Sequence, residues 1–315
     1  MEKIVKILVT GSTGLVGSAL IPTLRRDGHT VCRLVRPNTK IREENAGGFD
    51  VSWNPETGEL GGAGVGAEAV IHLSGASISE GRWTAKRKEL LRSSRVDTTR
   101  ALVAALGKMN AKPEVLISAS AIGYYGSRGD EILTEKSAAG DDFLARVAVP
   151  WEEEARKAER FGARVVVARF GVILAKKGGA LPKMMLPFRL GLGGRMGSGK
   201  QWISWIALDD VISILRLCLS GTPITGAVKF SPVSGPVNVV SPQPVTNEEF
   251  TRELAKALRR PALLPAPAFA FRMALGEMAD ALLLSSQRVV PRKLEEMGFQ
   301  FQHPDLASAL SAILG

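Results

Sequence analysis

Ile4-Val5-Lys6-Ile7-Leu8-Val9-Thr10-Gly11-Ser12-Thr13-Gly14-Leu15-Val16-Gly17 opens with a short apolar run rich in branched residues. That is the pattern of a strand buried on both faces of a parallel sheet. Three glycines at a spacing of three follow it, and then an apolar, helix-like segment from Ser18 to Arg26. Glycine lets the backbone turn tightly and approach a ligand closely. A helix N-terminus offers unpaired N–H groups and a positive dipole end to an anion. Strand, glycine turn and helix together predict a dinucleotide pyrophosphate held on Gly11, Ser12, Thr13, Gly14, Leu15, Val16 and Gly17. A purely steric turn is the plain alternative, but a second strand expected near Thr30 to Val35 supplies the context that the dinucleotide fingerprint requires.

The end of that second strand discriminates between cofactors. NAD sites place an acid there for the ribose hydroxyls, whereas NADP sites use an arginine for the 2′-phosphate. The chain reads Cys32-Arg33-Leu34-Val35-Arg36, with no acid at the strand end. A guanidinium is a charged, bidentate donor fork suited to phosphate. Arg36 is the first candidate and Arg33 the second, so NADP (NADPH) is expected over NAD(H); a solvated arginine on a basic protein is the plain alternative.

With 315 residues, 45% of them apolar and 23% charged, the chain has ordinary globular composition and can bury a large core. Its net charge of +10 suits an anionic ligand, nucleic acid or an acidic membrane surface. Lys and Arg are spread along the chain, with no basic tract, zinc-finger pattern or RNA-binding aromatic motif. The expected partner is therefore a phosphorylated small molecule. No nucleic-acid or membrane partner is expected, and the chain is read as a monomer or weak dimer. Cys32 and Cys218 sit in apolar segments without metal-ligand spacing and read as buried thiols in a reducing compartment. His29, His72 and His303 are scattered; His72 reads as a core histidine, and no metal site is visible. The first strand starts too close to Met1 to leave room for a signal peptide, so the cytoplasm is expected, or an organelle if a transit segment has been removed. Pro265, Pro267, Arg272, Glu277 and Asp280 interrupt the apolar stretch from Pro261 to Leu284 and exclude a membrane span there.

Strand candidates are Ile4–Thr10, Thr30–Val35, Asp50–Trp53, Ala69–Leu73, Val115–Ala119 and Arg164–Phe170. Helices are expected between them, including Trp83–Lys108 and Phe143–Phe161. This alternation predicts an α/β fold, a Rossmann-type doubly wound parallel sheet with a smaller C-terminal substrate lobe. Ligands on such sheets bind at the C-terminal strand ends. Residues 1–174 are assigned to the NADP-binding domain, with 205–240 contributing a helix and a strand. Residues 175–204 and 241–315 are assigned to the substrate lobe. Gly58 to Gly66 reads as a glycine-rich surface loop. Thr246 is expected to cap a helix beginning Asn247-Glu248-Glu249-Phe250.

Further motifs carry a resemblance. They include His72-Leu73-Ser74-Gly75-Ala76, Arg82-Trp83-Thr84, Ser94-Arg95-Val96 and Ser118-Ala119-Ser120-Ala121-Ile122-Gly123-Tyr124-Tyr125-Gly126. Arg169-Phe170-Gly171-Val172-Ile173-Leu174, Gly199-Lys200-Gln201-Trp202-Ile203-Ser204-Trp205-Ile206, Asp209-Asp210 and Gln287-Arg288-Val289-Val290-Pro291-Arg292-Lys293-Leu294 continue it. Over nearly its whole length the chain resembles the extended short-chain dehydrogenase/reductases. More narrowly, it resembles the epimerase family proteins, which are read as nucleoside-diphosphate-sugar epimerases. The resemblance implies that Leu73, Ser74, Gly75 and Ala76 line the ribose and pyrophosphate. It also implies that Arg95, Ser118, Phe170, Gly171 and Val172 contribute to the cofactor site, and that Ser120 hydrogen-bonds the reacting oxygen.

One departure stands out. Short-chain dehydrogenases usually carry Tyr-x-x-x-Lys on the helix after the fifth strand, a spacing that puts both groups on one helix face. Here that helix reads Phe143-Leu144-Ala145-Arg146-Val147-Ala148-Val149-Pro150-Trp151-Glu152, with neither residue. The chain's two tyrosines are Tyr124 and Tyr125, and Arg128 and Gly129 stand four residues on. Tyr124 is the candidate replacement, reaching the nicotinamide from its loop with Arg128 lowering its pKa; alternatively both rings simply pack. Gln201, Trp202 and Trp205 suit a flat base or sugar ring, or form a plug between lobes. In the family the residue after Trp-Ile is often His, whereas here it is Ala207. Arg169, Lys183, Arg189 and Arg195 are further candidates for a phosphorylated substrate. The expected function is NADP(H)-dependent chemistry on a nucleotide-sugar or similar molecule. The alternative is a non-catalytic NADPH-binding regulator, for example in cell or organelle division; nucleic-acid binding rests on charge alone.

Overall fold

A computed structural model describes residues 4–37, 39, 43–44, 48–62, 66–220 and 232–315. Seven parallel strands make the central sheet: β1 (Lys6–Thr10), β2 (Thr30–Val35), β3 (Gly48–Asn54), β4 (Ala69–His72), β5 (Val115–Ala121), β6 (Arg164–Phe170) and β7 (Gly235–Val239). Their order is β7-β6-β5-β4-β1-β2-β3, and the short strands Glu43–Glu44 and Glu59–Leu60 pair antiparallel to β3 at one edge. The residues expected as the loop Gly58 to Gly66 thus include an edge pairing, and 63–65 lie outside the described residues.

Alternation along the strands feeds two cores. Ile7, Val9, Ile71, Ile117 and Val166 face α1 (Leu15–Arg26), with Leu20 and Leu24 opposite them. Leu8, Cys32, Val70, Leu116 and Val165 face the other way, onto Leu102 and Leu106. Each such buried aliphatic side chain contributes about 1.5–3 kcal/mol relative to exposure. A hydrophobic face on each side of the sheet is what makes it doubly wound.

The segment expected as one helix from Trp83 to Lys108 is two, α2 (Ala85–Ser93) and α3 (Val96–Lys108). The break falls at Arg95, whose guanidinium turns back to the carbonyls of Leu91 and Ala76. The helix expected over Phe143–Phe161 is α4 (Phe143–Arg156), ending in a tighter 3₁₀ turn over Lys157–Phe161. Beyond β6 come α5 (Leu181–Arg189), α6 (Leu208–Ser220) and α7 (Asn247–Leu258). The side chain of Thr246 caps α7 in a reciprocal box with Glu249. α6 packs beside α1 and β7 pairs with β6 in the central sheet; 221–231, between them, lie outside the described residues. A separate apolar cluster joins α5, Trp205, α7 and the C-terminal helix Leu306–Leu314. No helix among the described residues is long and apolar enough to cross a membrane.

Candidate functional site

The chain runs outward from β1 to β2 and β3, then returns to place β4 on the other side of β1. That reversal opens a crevice at the C-terminal ends of β1 and β4, the usual ligand position in such sheets. Both predicted cofactor loops emerge there. Gly11 has φ of +65°, and a Cβ on it would sit 2.6 Å from the carbonyl oxygen of Leu73. A Cβ on Gly17 would lie 2.4 Å from the Gly11 carbonyl oxygen. The Gly14 N–H donates to that same oxygen at 3.0 Å. Gly14 supplies no side-chain cap to α1, and the first turn holds no acid. The N–H groups of Leu15, Val16 and Gly17 have no acceptor among the described residues. A packed glycine turn that delivers unpaired N–H groups at a helix start fits a dinucleotide pyrophosphate.

A buried hydrogen-bond chain fixes the opposite loop. Thr10 Oγ1 accepts from the N–H groups of Leu73 at 3.0 Å and Ser74 at 3.2 Å. Its own proton therefore goes to His72 Nδ1, 2.7 Å away, and His72 Nε2–H donates to Thr99 at 2.9 Å. Burial pushes the His72 pKa down to about 4, so the ring is neutral. His72 thus positions the loop from the core.

The two arginines near the end of β2 differ. Arg33 is held by Asp50 in a bidentate pair, at 2.7 and 3.0 Å. Arg36 follows the strand end and is exposed.

At the ends of β5 and β6 the structure assembles a network not legible in the motifs. Ser120 and Arg169 are register partners across the two strands. Arg169 makes a bidentate pair with Glu152 of α4, through Nε at 2.8 Å and Nη2 at 2.7 Å. Ser120 donates to the same carboxylate at 2.7 Å. Arg169 Nη1 donates to the Tyr125 hydroxyl at 2.9 Å, and Tyr125 donates to Asn238 at 2.6 Å. Burial raises Tyr125 to about 12, against the opposing pull of Arg169. Tyr124 is half-buried, its ring centroid 3.5 Å from the Arg169 guanidinium carbon.

Several expected site residues have other roles. Arg169 is 1% exposed and neutralised by Glu152, so it is not a surface phosphate ligand. Arg128 is bidentate to Glu131, and the cation against Tyr124 is Arg169. Ser118 is buried and donates to the Ala119 carbonyl. Trp205 is fully buried with its indole N–H on the Gln243 carbonyl, which makes it a core residue. Gln201 is also buried, its amide tied to the carbonyls of Met196 and Leu283. Trp202 is half-buried, bonded to Asp130 and covered by Arg288. Of that trio the structure leaves only Trp202 partly open. A Cβ on Gly171 would meet the Ser204 carbonyl oxygen at 2.6 Å, Val172 N–H donates to that oxygen, and Phe170 packs between two core clusters.

Residues 7–223 match the NAD dependent epimerase/dehydratase family, and residues 266–313 match a domain of unknown function, DUF1731. The chain belongs to the NAD dependent epimerase/dehydratase family. An epimerase family protein of Mycobacterium tuberculosis, MT2273, is 43% identical over 305 residues, covering 96% of each chain. The crystal structure of human epimerase family protein SDR39U1 with NADPH is 32% identical with a TM-score of 0.83, covering 98% of this chain and 99% of that one. The nucleoside-diphosphate sugar epimerase of Corynebacterium glutamicum is 35% identical with a TM-score of 0.75, covering 99% of this chain and 59% of that one. Membership in this family agrees with the expected α/β fold and with the epimerase-type motifs.

Proposed function

We propose that this epimerase family member binds NADP(H) in the crevice between β1 and β4 and acts as an NADP(H)-dependent epimerase or reductase on a nucleoside-diphosphate sugar. The carrying observation is the glycine turn, closed to any Cβ at Gly11 and Gly17 and leading to the unpaired N–H groups of α1. Arg36 takes the 2′-phosphate, since Arg33 is committed to Asp50. NADPH in the SDR39U1 structure and the activity named for the Corynebacterium protein support the cofactor and substrate class. Two buried free thiols fit a reducing compartment, the cytoplasm or an organelle interior.

The bound nicotinamide supplies hydride exchange at C4. Ser120, whose proton is committed to Glu152, acts as an acceptor and holds a substrate hydroxyl. The Tyr124 hydroxyl has no partner among the described residues, and it is the group that shares a proton with a substrate oxygen. No Tyr-x-x-x-Lys pair is needed for either role. A second reading, a regulator that binds NADPH without turnover, is favoured by the tying of Ser120 and Tyr125 into the Glu152–Arg169 network. Epimer interconversion, followed by product analysis, and NADPH oxidation, which only a net reduction of a keto-sugar gives, are both assayed on a panel of nucleoside-diphosphate sugars to test the pair. Turnover that is lost in Tyr124→Phe supports the enzyme; NADPH binding with no turnover on any sugar leaves the regulator.

A further inference from the structure

The loop after β4 is pinned by side chains at four successive carbonyls. Arg95 Nη2 donates to the Ala76 oxygen at 2.9 Å, Arg87 to that of Ser77, and Trp83 Nε1 to that of Ile78 at 2.9 Å. Lys183, from α5, reaches the Ser79 carbonyl at 3.4 Å and its hydroxyl at 2.9 Å. Three of the four donors are cations, and carbonyl oxygens neutralise none of them. Arg95 and Lys183 have no ion pair among the described residues. Arg87 has only Glu80, 3.7 Å away with its side chain 70% exposed. The Arg87 Nε is buried without a hydrogen-bond partner among the described residues. A Cβ on Gly75 would lie 3.3 Å from the Arg95 guanidinium carbon, so glycine there leaves the guanidinium room beneath the loop. Burial, and then the neighbouring Arg87 charge, push Arg95 down to about 10.

Gathering like charges in a half-buried place is unfavourable unless an anion completes it. Each guanidinium has five N–H donors and forks that match phosphate oxygens, and the loop carbonyls use only part of that capacity. The loop begins at Leu73, against the glycine turn.

We propose that Arg87, Arg95 and Lys183 form a second anion subsite that takes the phosphate or diphosphate of a second ligand bound beside the cofactor. This rests on the reading of the crevice as an NADP(H) site. The same chemistry is available from the cofactor's own pyrophosphate, and the experiment separates the two sources. The full chain is titrated by calorimetry with inorganic pyrophosphate at saturating NADPH, and separately with NADPH alone. Wild type, Arg87→Gln and Lys183→Gln are compared. Lys183 is exposed, so its variant keeps the fold even where Arg87→Gln does not. The expected result is saturable pyrophosphate binding, weakened about tenfold in either variant and steeply by salt, with NADPH affinity unchanged. Failure of pyrophosphate to bind the NADPH-loaded protein overturns the subsite. So does equal loss of NADPH affinity in the variants, which assigns the cations to the cofactor. If wild type fails to bind NADPH, the crevice reading falls by itself. The same variants titrated with pyrophosphate alone then decide the subsite, which survives on weakened binding and falls on unchanged binding.

Discussion

Gly11 and Leu73 stand so close that a Cβ on the glycine would lie 2.6 Å from the Leu73 carbonyl oxygen. The contact joins the turn after β1 to the loop after β4, and backbone lies on both sides of it. Gly11 also has φ of +65°, a conformation costly for any L side chain. Gly11→Ala is therefore expected to shift both loops, lower the melting temperature by several degrees and reduce NADPH affinity at least tenfold. Paired melting and titration measurements check this. An unchanged affinity would show that the turn does not touch the cofactor.

The Arg169–Glu152 pair is almost fully buried, so removing one partner strands the other. Arg169→Met is expected to cost about 3–5 kcal/mol in urea unfolding, because Glu152 then keeps a buried charge with only the Ser120 hydroxyl and the half-exposed Arg156, 3.8 Å away, to answer it. The double substitution Arg169→Met with Glu152→Leu is expected to recover much of that loss. Equal stability of the single variant and wild type would contradict the network's structural role.

His72 makes stability depend on pH. Its folded pKa, about 4, lies below the ordinary value of 6.5, so the unfolded chain binds the proton more readily. The His72 contribution is fully present above about pH 6.5. It is lost as pH falls from there toward about 4, and amounts to roughly 3 kcal/mol. Melting temperatures of wild type and His72→Gln between pH 4 and 7 should converge at the acid end. Parallel curves would refute the assignment.

The strand, glycine turn and helix at the start of the chain are legible because their signals are local. A branched apolar run, three glycines and a helix lie within one stretch of chain, and Thr30–Val35 and Arg164–Phe170 fall where their patterns place them. The break at Arg95 carried no such signal, since neither Gly nor Pro marks it; the guanidinium's bond to Ala76, 19 residues away, turns the chain. The Ser120–Glu152–Arg169 network was hidden for the same reason. It exists only once β5 and β6 are in register and α4 lies across them, although Glu152 on the buried face of α4 beside Trp151 was a usable clue. Between a ring-binding site and a plug, the burial of Trp205 and Gln201 favours the plug, a choice that sequence leaves open because it fixes neither which side of a loop faces solvent nor which carbonyls wait inside.

The most direct test of the central claim is calorimetric titration of cofactor-stripped protein with NADPH and NADH, repeated on Arg36→Glu. Tight NADPH binding is expected, with weaker NADH binding and loss of that preference in Arg36→Glu as the 2′-phosphate meets a carboxylate. Failure of wild type to bind either dinucleotide would contradict it, and so would an NADPH preference that survives the substitution.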